Sequence, residues 1–508
     1  MPFDLARAQA AADAIAAGWA AARGPGGAIV LFDRDGPRAT ACGGLASLDH
    51  ALAITPDTAF RWASITKHVL AALVLREASL GLDDPLGKHL PELAPAPAAV
   101  PVGRALDMTS GIADAMEALW QLGVPWTATH TRDALFRFTA AIDALNYPSG
   151  TEISYTNTGY RWMQHALETR LGPVGDAWRD AFFAPLGLNS VQFPEDFTDP
   201  VPNLATGFWR DEAGDWHSGR YGTHLSASGG LAGSARDLAT WLAALLAERA
   251  PVQGLLPRLA ARRRLTDERE TGYGLGIAHA PFLGIPLYGH GGSLPGFKNH
   301  VLVAPEHGIG VVLLSNREDI DPLGIALEVI AAGLGATLPP GTTALPDGLF
   351  AAEDGAPFWI ELANGRVTFL GAAEQLFDAG DGWAASRSPY MWIRLRHDGG
   401  AIAGEINHVA RRFLPVPRDA APDPAWAGRW RNDALGAEFE VAVAAGSATL
   451  TMGAGPLRSA MPLVPLEAGR ALGHRADGPW VQRPCFAFGA DTCRIVTNRC
   501  RVFTFRRA

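Results

Sequence analysis

The first third of the chain alternates two hydrophobic rhythms. The N-terminal stretch carries Asp4, Arg7 and Asp13 among its alanines and reads as an amphipathic helix rather than a signal peptide. The stretch ATACGGLASLDHA (39–51) looks like strand and turn. From Ser64 the apolar positions Val69, Leu70, Leu73 and Leu75 recur at helical spacing, predicting a helix that runs to Gly81. Segment 230–248 predicts a second amphipathic helix with Ser234 as its N-cap. Strands are predicted at 272–279, 286–289, 299–304 and 310–315, the last a buried run, GIGVVLLSN, and a helix follows at 322–334. Helices at both ends with strands between suggest an α+β unit over 1–335: a sheet covered by terminal helices, plus a helical lobe.

The texture then changes. Residues 336–347 (ATLPPGTTALPD) hold three prolines and no periodic apolar face, which marks a linker. WIELANGRVTFLGA alternates across an Asn-Gly pair, a hairpin signal. A second Pro-rich joint, PVPRDAAPDP (415–424), precedes GAEFEVAVAAGSATLTMGAG, which repeats the strand–turn–strand pattern. Two all-β modules are expected, at 348–416 and 417–508, as weak repeats of one another.

Composition narrows the class. The chain is 48% hydrophobic and 19% charged, as an ordered globular protein is, and its net charge of -9 opposes binding to nucleic acid phosphates or anionic lipid. Apolar runs fall short of the roughly 20 residues that cross a bilayer. The expectation is a cytoplasmic enzyme. Cys485, Cys493 and Cys500 cluster near the C-terminus without C-x-x-C spacing, and with Cys42 they are expected to be buried thiols; no metal or cofactor is expected. Of 43 basic residues only Lys67, Lys88 and Lys298 are lysine. A retained lysine is therefore a candidate for a task arginine cannot do, such as losing its proton near neutral pH.

FRWASITKHVL sets Ser64 three residues before Lys67, so at helical spacing hydroxyl and amine share a face. A serine hydroxyl needs a nearby base, and a desolvated lysine can serve as one. A solvated helix pair of no consequence is equally compatible with that motif alone. YPSGTEISYTNTGY offers Tyr155, a proton carrier either partly as phenolate or as phenol, and Asn157, a partner for a substrate carbonyl. YGHGGSLPGFK offers His290, Gly291 and Gly292, where glycines let backbone approach a substrate. The N–H of Ser293, paired with that of Ser64, would form an oxyanion hole. GYGLG (272–276) lacks a following phosphate-binding helix, no G-x-S-x-G elbow is present, and His300 and His307 lack an H-E-x-x-H setting.

In this order the three boxes resemble the penicillin-recognising serine hydrolases: penicillin-binding proteins, class C β-lactamases and their esterase and peptidase relatives, which use S-x-x-K, Y-x-N and a K-T-G or H-x-G box. ALDMTSGI, NYPSGT, APLGLNS, ASGGLAGSARDLATW and GYGLGIA extend the resemblance over about 25–335. With H-G-G as third box and two β modules following, the layout looks like the bacterial D-aminopeptidases, which remove N-terminal D-residues and carry two antiparallel, lipocalin-like β-barrels. That resemblance implies Ser64 as nucleophile, Lys67 and Tyr155 as proton carriers, and Asn157 and His290 as substrate-orienting groups. It also implies a loop from the third domain, matching 467–480 here, on which Asp477 would neutralise a substrate ammonium; a solvated turn Asp weighs about equally. Lys298 would lie near the third box. Trp62 and Pro295 depart from the pattern and leave side-chain preference open. The expected substrate is a small peptide, amide or ester with a free N-terminus, acted on by a chain expected to form a homodimer. The alternatives are a carboxylesterase, a β-lactamase-like or D-Ala-D-Ala carboxypeptidase-like hydrolase, and a binding protein with a vestigial site.

Overall fold

The computed structural model describes residues 2–342, 344–417 and 419–508, so residue 343 of the expected linker and residue 418 of the second joint lie outside the described residues. Six strands form one antiparallel sheet: β1 (Gly27–Asp33), β2 (Gly36–Gly43), β3 (Ala278–His279), β4 (Tyr288–Leu294), β5 (Phe297–Ala304) and β6 (Ile309–Ser315), in the order β2-β1-β6-β5-β4-β3. β1 pairs with β6 from Gly27↔Ser315 to Asp33↔Ile309, which joins the two ends of the catalytic unit. Both strands are apolar on both faces. Ile29, Leu31, Val311 and Leu313 turn toward the terminal helices α1 (Leu5–Ala21) and α6 (Pro322–Gly333). Val30, Phe32, Val312 and Leu314 turn the other way, onto the helical lobe. Each large aliphatic side chain so buried contributes about 1.5–3 kcal/mol. On α1 the buried residues are Ala8, Ala12, Ala16 and Trp19, a narrow stripe whose small side chains let the helix sit close on the sheet.

The lobe between β2 and β3 contains α2 (Thr66–Arg76), α3 (Ala115–Gln121), α4 (Thr158–Leu171) and α5 (Ala235–Leu246). Ser234 caps α5, accepting from the Asp237 N–H at 3.1 Å, as its sequence indicates. Two expectations shift. α2 ends at Arg76, because Glu77 turns extended, and not at Gly81. The expected strand 272–279 shrinks to Ala278–His279. Gly276 sits at φ +71°, and a Cβ there would lie 2.7 Å from the His68 nitrogen, so this stretch wraps the start of α2 instead of entering the sheet.

Two closed eight-stranded antiparallel barrels follow. The first closes where Gly348–Ala352 pairs with Val409–Pro415. Its Asn364-Gly365 turn has φ +50° and +74°, the paired positive values that a tight hairpin demands. The second closes where Gly428–Asn432 pairs with Phe503–Arg507. Side chains fill both interiors: Trp359, Phe369, Ile393 and Phe413 in one, Trp430, Phe439, Phe486 and Phe505 in the other. Cys493 and Cys500 are buried in the second core and Cys485 is buried beside it; all four cysteines are free thiols. Leu472 pairs directly with Cys485, and between them a small hairpin, Arg475–Asp477 with Trp480–Gln482, leaves the barrel wall.

All three units meet at one carboxylate. Glu152 of the lobe accepts both Arg501 Nη atoms at 2.9 and 3.0 Å, and Arg411 of the first barrel lies 3.5 Å away. Glu152 and Arg501 are buried. Removing the acid leaves the buried Arg501 guanidinium and the largely covered one of Arg411 without their shared carboxylate. Glu152→Ala is expected to destabilise the docked state by about 3–5 kcal/mol, lowering the denaturant midpoint of the first unfolding transition. An unchanged midpoint would show that the barrels dock without this junction.

Candidate functional site

Ser64 lies in a short 3₁₀ turn, Ala63–Ile65, that runs directly into α2. The preceding Ala63 holds φ +53°, an uncommon conformation for a residue with a Cβ, and this local strain presents Ser64 at the head of the helix. One turn later the Lys67 side chain points back along the same face. Its Nζ is 3.1 Å from Ser64 Oγ, 2.8 Å from Asn157 Oδ1 and 2.6 Å from the Ser228 carbonyl. Two of these partners only accept, so they take two N–H bonds. An uncharged amine then has one lone pair left, directed at the Ser64 hydroxyl. Burial favours that uncharged form: Lys67 is fully buried and its pKa is pushed well below the usual lysine value, with the Asp114 carboxylate opposing the shift.

Tyr155 closes the other side of the amine, its ring centroid 4.8 Å from Lys67 Nζ. Burial raises its pKa well above that of an ordinary phenol, with Ser64 and Arg499 opposing the rise. Burial thus favours the uncharged amine and the uncharged phenol, which suits them to accept and to donate a proton respectively, and the phenolate form expected as one option is disfavoured. The Tyr155 hydroxyl is buried and has no hydrogen-bond partner among the described residues, although it lies near enough to Ser64 to feel it. An unpartnered donor beside the nucleophile suits an incoming substrate atom.

The third wall is β4. It pairs with β3 only at Tyr288 and Gly289, so beyond that its outer edge has no strand partner. Residues alternate along a strand, so Gly291 and Ser293 direct their N–H groups to that edge. Gly292 lies against the nucleophile turn: a Cβ there would meet the Trp62 carbonyl at 2.2 Å, so only glycine permits this approach. His290 is buried with Nε2 2.8 Å from the Tyr273 hydroxyl, and burial followed by Lys67 holds its pKa well below the usual histidine value. It is a neutral, positioned ring. Lys298 lies 2.9 Å from Ser293 Oγ and 3.6 Å from Glu318.

The structure therefore gathers Ser64, Lys67, Tyr155, Asn157, His290, Gly292 and Ser293 around one centre. Asp477 stands apart from the nucleophile. It belongs to the hairpin from the second barrel, and its Oδ2 accepts the Trp126 backbone N–H at 2.6 Å. The reaching element is Arg475–Gln482, later in the chain than the 467–480 stretch, whose first part belongs to the barrel wall. Trp480 packs edge-on against Trp126, centroids 4.1 Å apart, so the hairpin is docked on the lobe.

Four contributors escaped the sequence reading. Asp114 caps α3 through its Oδ1 and holds the Asn157 N–H through Oδ2 at 2.7 Å. Its position before the apolar run AMEALW is a readable cap signal. Ser228 offers only its carbonyl, which no side-chain pattern reveals. Tyr390 of the first barrel accepts the Gly291 N–H at 2.5 Å, with its ring edge-on to Tyr155 and tilted against His290. Arg499 of the second barrel lies over the Tyr155 ring at 4.6 Å.

Fold and site together define a serine centre with a lysine partner on a β-lactamase/transpeptidase-like domain. The chain belongs to the Beta-lactamase family, whose model matches residues 11–333. It is 24% identical to a D-aminopeptidase of Cereibacter sphaeroides, over 90% of this chain and 91% of that protein. It is 25% identical to a D-aminopeptidase of Gluconobacter oxydans, over 90% of each. Among solved structures, the octameric penicillin-binding protein homologue of Pyrococcus abyssi shares the fold over 98% of this chain and 99% of its own (TM-score 0.58, 21% identity). The D-amino acid amidase of Ochrobactrum anthropi SV3 covers 65% of this chain and 98% of its own (TM-score 0.54, 22% identity).

Proposed function

We propose that the protein is a serine aminopeptidase releasing N-terminal D-residues from small peptides, amides or esters through an acyl-enzyme. The observation that carries the reading is the second-barrel hairpin held on the lobe, where Asp477 accepts the Trp126 N–H and Trp480 packs edge-on against Trp126; we take it to limit one end of the substrate site, as an aminopeptidase requires. Similarity to D-aminopeptidases along nine-tenths of the chain, barrels included, supports it.

The chemistry follows from the protonation states. Lys67 takes the Ser64 proton as Oγ bonds to the substrate carbonyl carbon. The N–H groups of Ser64 and Ser293 receive the oxyanion, and Asn157 and His290 orient the substrate. As the C–N bond breaks, Tyr155 gives its proton to the departing amine and is recharged from the Lys67 ammonium. Water then attacks the ester carbon, returning its proton by the same route and restoring Ser64. The two long-chain amines, Lys67 and Lys298, differ in role: Lys298 is tied to Ser293 and Glu318 at the rim.

Asp477 belongs to the reading as the acid that favours a substrate ammonium at the closed end, while holding Trp126 with its other oxygen. The four free thiols support a reducing, cytoplasmic setting, and a homodimer is the proposed assembly, measurable by sedimentation. The test is kinetic. D-alanine p-nitroanilide is expected to be cleaved in preference to its L-form and to a p-nitrophenyl ester of an acid without an amine. Asp477→Asn is expected to lower the kcat/KM ratio of free-amine to N-acetyl substrate by about tenfold, the value of a charged hydrogen bond. Equal rates on N-acetylated substrate in the unaltered protein would overturn the aminopeptidase reading.

A further inference from the structure

The active site contains a cation whose role the steps above leave open. Arg499 lies in the turn between the last two strands of the second barrel, Thr492–Val496 and Phe503–Arg507. Its backbone is fixed to the catalytic lobe on both sides. Its N–H donates to Glu117 Oε2 at 2.6 Å, and its carbonyl accepts from the Asp114 N–H and Asn146 Nδ2, each at 2.9 Å. The neighbouring residues are tied as firmly: Gln121 donates to Thr497 and to the Cys500 carbonyl, and Arg501 holds Glu152. The turn is a rigid insert, not a loose surface loop.

The side chain is treated differently. Its guanidinium lies over the Tyr155 ring and has no hydrogen-bond acceptor among the described residues. The nearest carboxylate atom, Glu117 Oε1, is 3.9 Å from Nε, beyond hydrogen-bond reach. The side chain keeps 35% of its surface open. A fixed backbone with a charged fork beside the proton donor, held only by a long 3.9 Å ion pair through Nε to Glu117 and with no hydrogen bond to its Nη atoms among the described residues, is an arrangement that can receive a planar anion. The other groups at the centre do not supply that charge: His290 and Lys67 are held neutral, and Lys298 is engaged by Glu318.

Position selects which anion. Tyr155 protonates the departing amine, so the leaving group stands at the Tyr155 hydroxyl. In a dipeptide the departing amine carries a carboxylate one carbon away, within reach of a guanidinium stacked on the same ring. We propose that Arg499 binds the C-terminal carboxylate of the leaving residue, so that the preferred substrates are short peptides with a free C-terminus, dipeptides above all, rather than simple amides. This rests on the aminopeptidase reading for the direction of the substrate. It makes the second barrel a supplier of specificity at both ends: the hairpin beside the amine and Arg499 beside the carboxylate.

The test compares D-alanyl-glycine with D-alanyl-glycinamide, which differ only in that charge. Arg499→Gln is expected to lower the acid-to-amide ratio of kcat/KM by about 10- to 100-fold, mostly through KM, and Arg499→Lys to retain part of it. An unchanged ratio in Arg499→Gln overturns the proposal. A binding arm separates this from the proposed activity. In a Ser64→Ala background, calorimetry is expected to show tighter binding of D-alanyl-glycine than of its amide, and Arg499→Gln is expected to erase the difference. Equal affinities in that background, or no heat from either ligand, also overturn it. Binding that discriminates the carboxylate without turnover of either compound by the unaltered enzyme would sustain the subsite and refute the aminopeptidase reading. Retained Tm in the Gln variant, whose backbone contacts are unaltered, shows that the loss is local.

Discussion

Ser64→Ala is expected to lower kcat by at least about 10⁴-fold and to abolish covalent labelling by a serine-directed reagent, with little change in stability. In activation free energy that is about 5 kcal/mol or more. The size follows from the geometry. The only oxygen addressed by the Lys67 lone pair is Ser64 Oγ, because the other two partners of Nζ are acceptors that occupy its N–H bonds. Alanine removes the acyl acceptor while the Ser64 N–H of the oxyanion pocket persists, so substrate binding should survive. Labelling that persists in the Ala variant would place the nucleophile elsewhere, and Ser228 and Ser293 would be the next to replace.

Lys67→Arg is expected to fail almost as completely as Lys67→Ala, by about 10²- to 10⁴-fold, the range supplied by a general base. Arginine conserves charge but keeps its proton. It also brings a permanent cation into a pocket that is fully buried and built around a neutral amine. The pH profile of kcat/KM checks the same assignment. Burial lowers the Lys67 pKa, so the active free-base form persists to lower pH than an ordinary lysine permits. Activity should reach its plateau well below the pH at which an ordinary lysine loses its proton, and fall as acid protonates the amine. Burial raises the Tyr155 pKa, so the phenol keeps its proton past pH 10 and no alkaline decline from it is expected there. A rate still climbing between pH 9 and 10.5 would show a lysine with an ordinary pKa and would shift the base role away from it. Rates near those of the unaltered enzyme in the Arg variant would show that charge, not basicity, is required.

The parts of this site that sequence makes legible are those fixed by local geometry. Ser64 and Lys67 are one helical turn apart, so their meeting follows from spacing alone. Ser234 before an amphipathic run, Asn364-Gly365 between alternating strands, and the Pro-rich break after 335 are likewise local. Assembly of the three boxes is not local. Tyr155, Ser64 and His290 are separated by long stretches of chain, and only their joint resemblance to a known order linked them. The Lys67 environment was legible in kind, since three lysines against forty arginines flagged it, but the Ser228 carbonyl that takes one of its protons has no side-chain signature. Gly272–Gly276 misled because its alternation resembles a strand, while the deciding factor was close approach to α2. Tyr390 and Arg499 had no readable signal. Each comes from a barrel turn whose chemistry depends wholly on where the barrel docks, and docking is written in contacts such as Glu152 with Arg411 and Arg501, remote from one another along the chain.

That three-way junction has a consequence for the order in which the protein becomes competent. Arg499 and Arg501 lie among the last ten residues of the chain. Every group proposed to make the acyl-enzyme is synthesised by residue 293, well before them. At a translation rate of about 5–20 residues per second, roughly 10–40 s separate the emergence of Ser293 from that of Arg501. Until residue 411 emerges Glu152 has neither of its arginines, until residue 501 it lacks the bidentate one, and throughout the interval Tyr155 lacks the cation above it. A growing chain therefore holds nucleophile and base before it holds the clamps that select what reaches them, and selectivity arrives only with the final turn. A frameshift or stop within those last residues would spare Ser64, Lys67 and Tyr155 and leave the first barrel its contacts through Arg411 and Tyr390, yet would unpick the closure of the second barrel and its bidentate hold on Glu152.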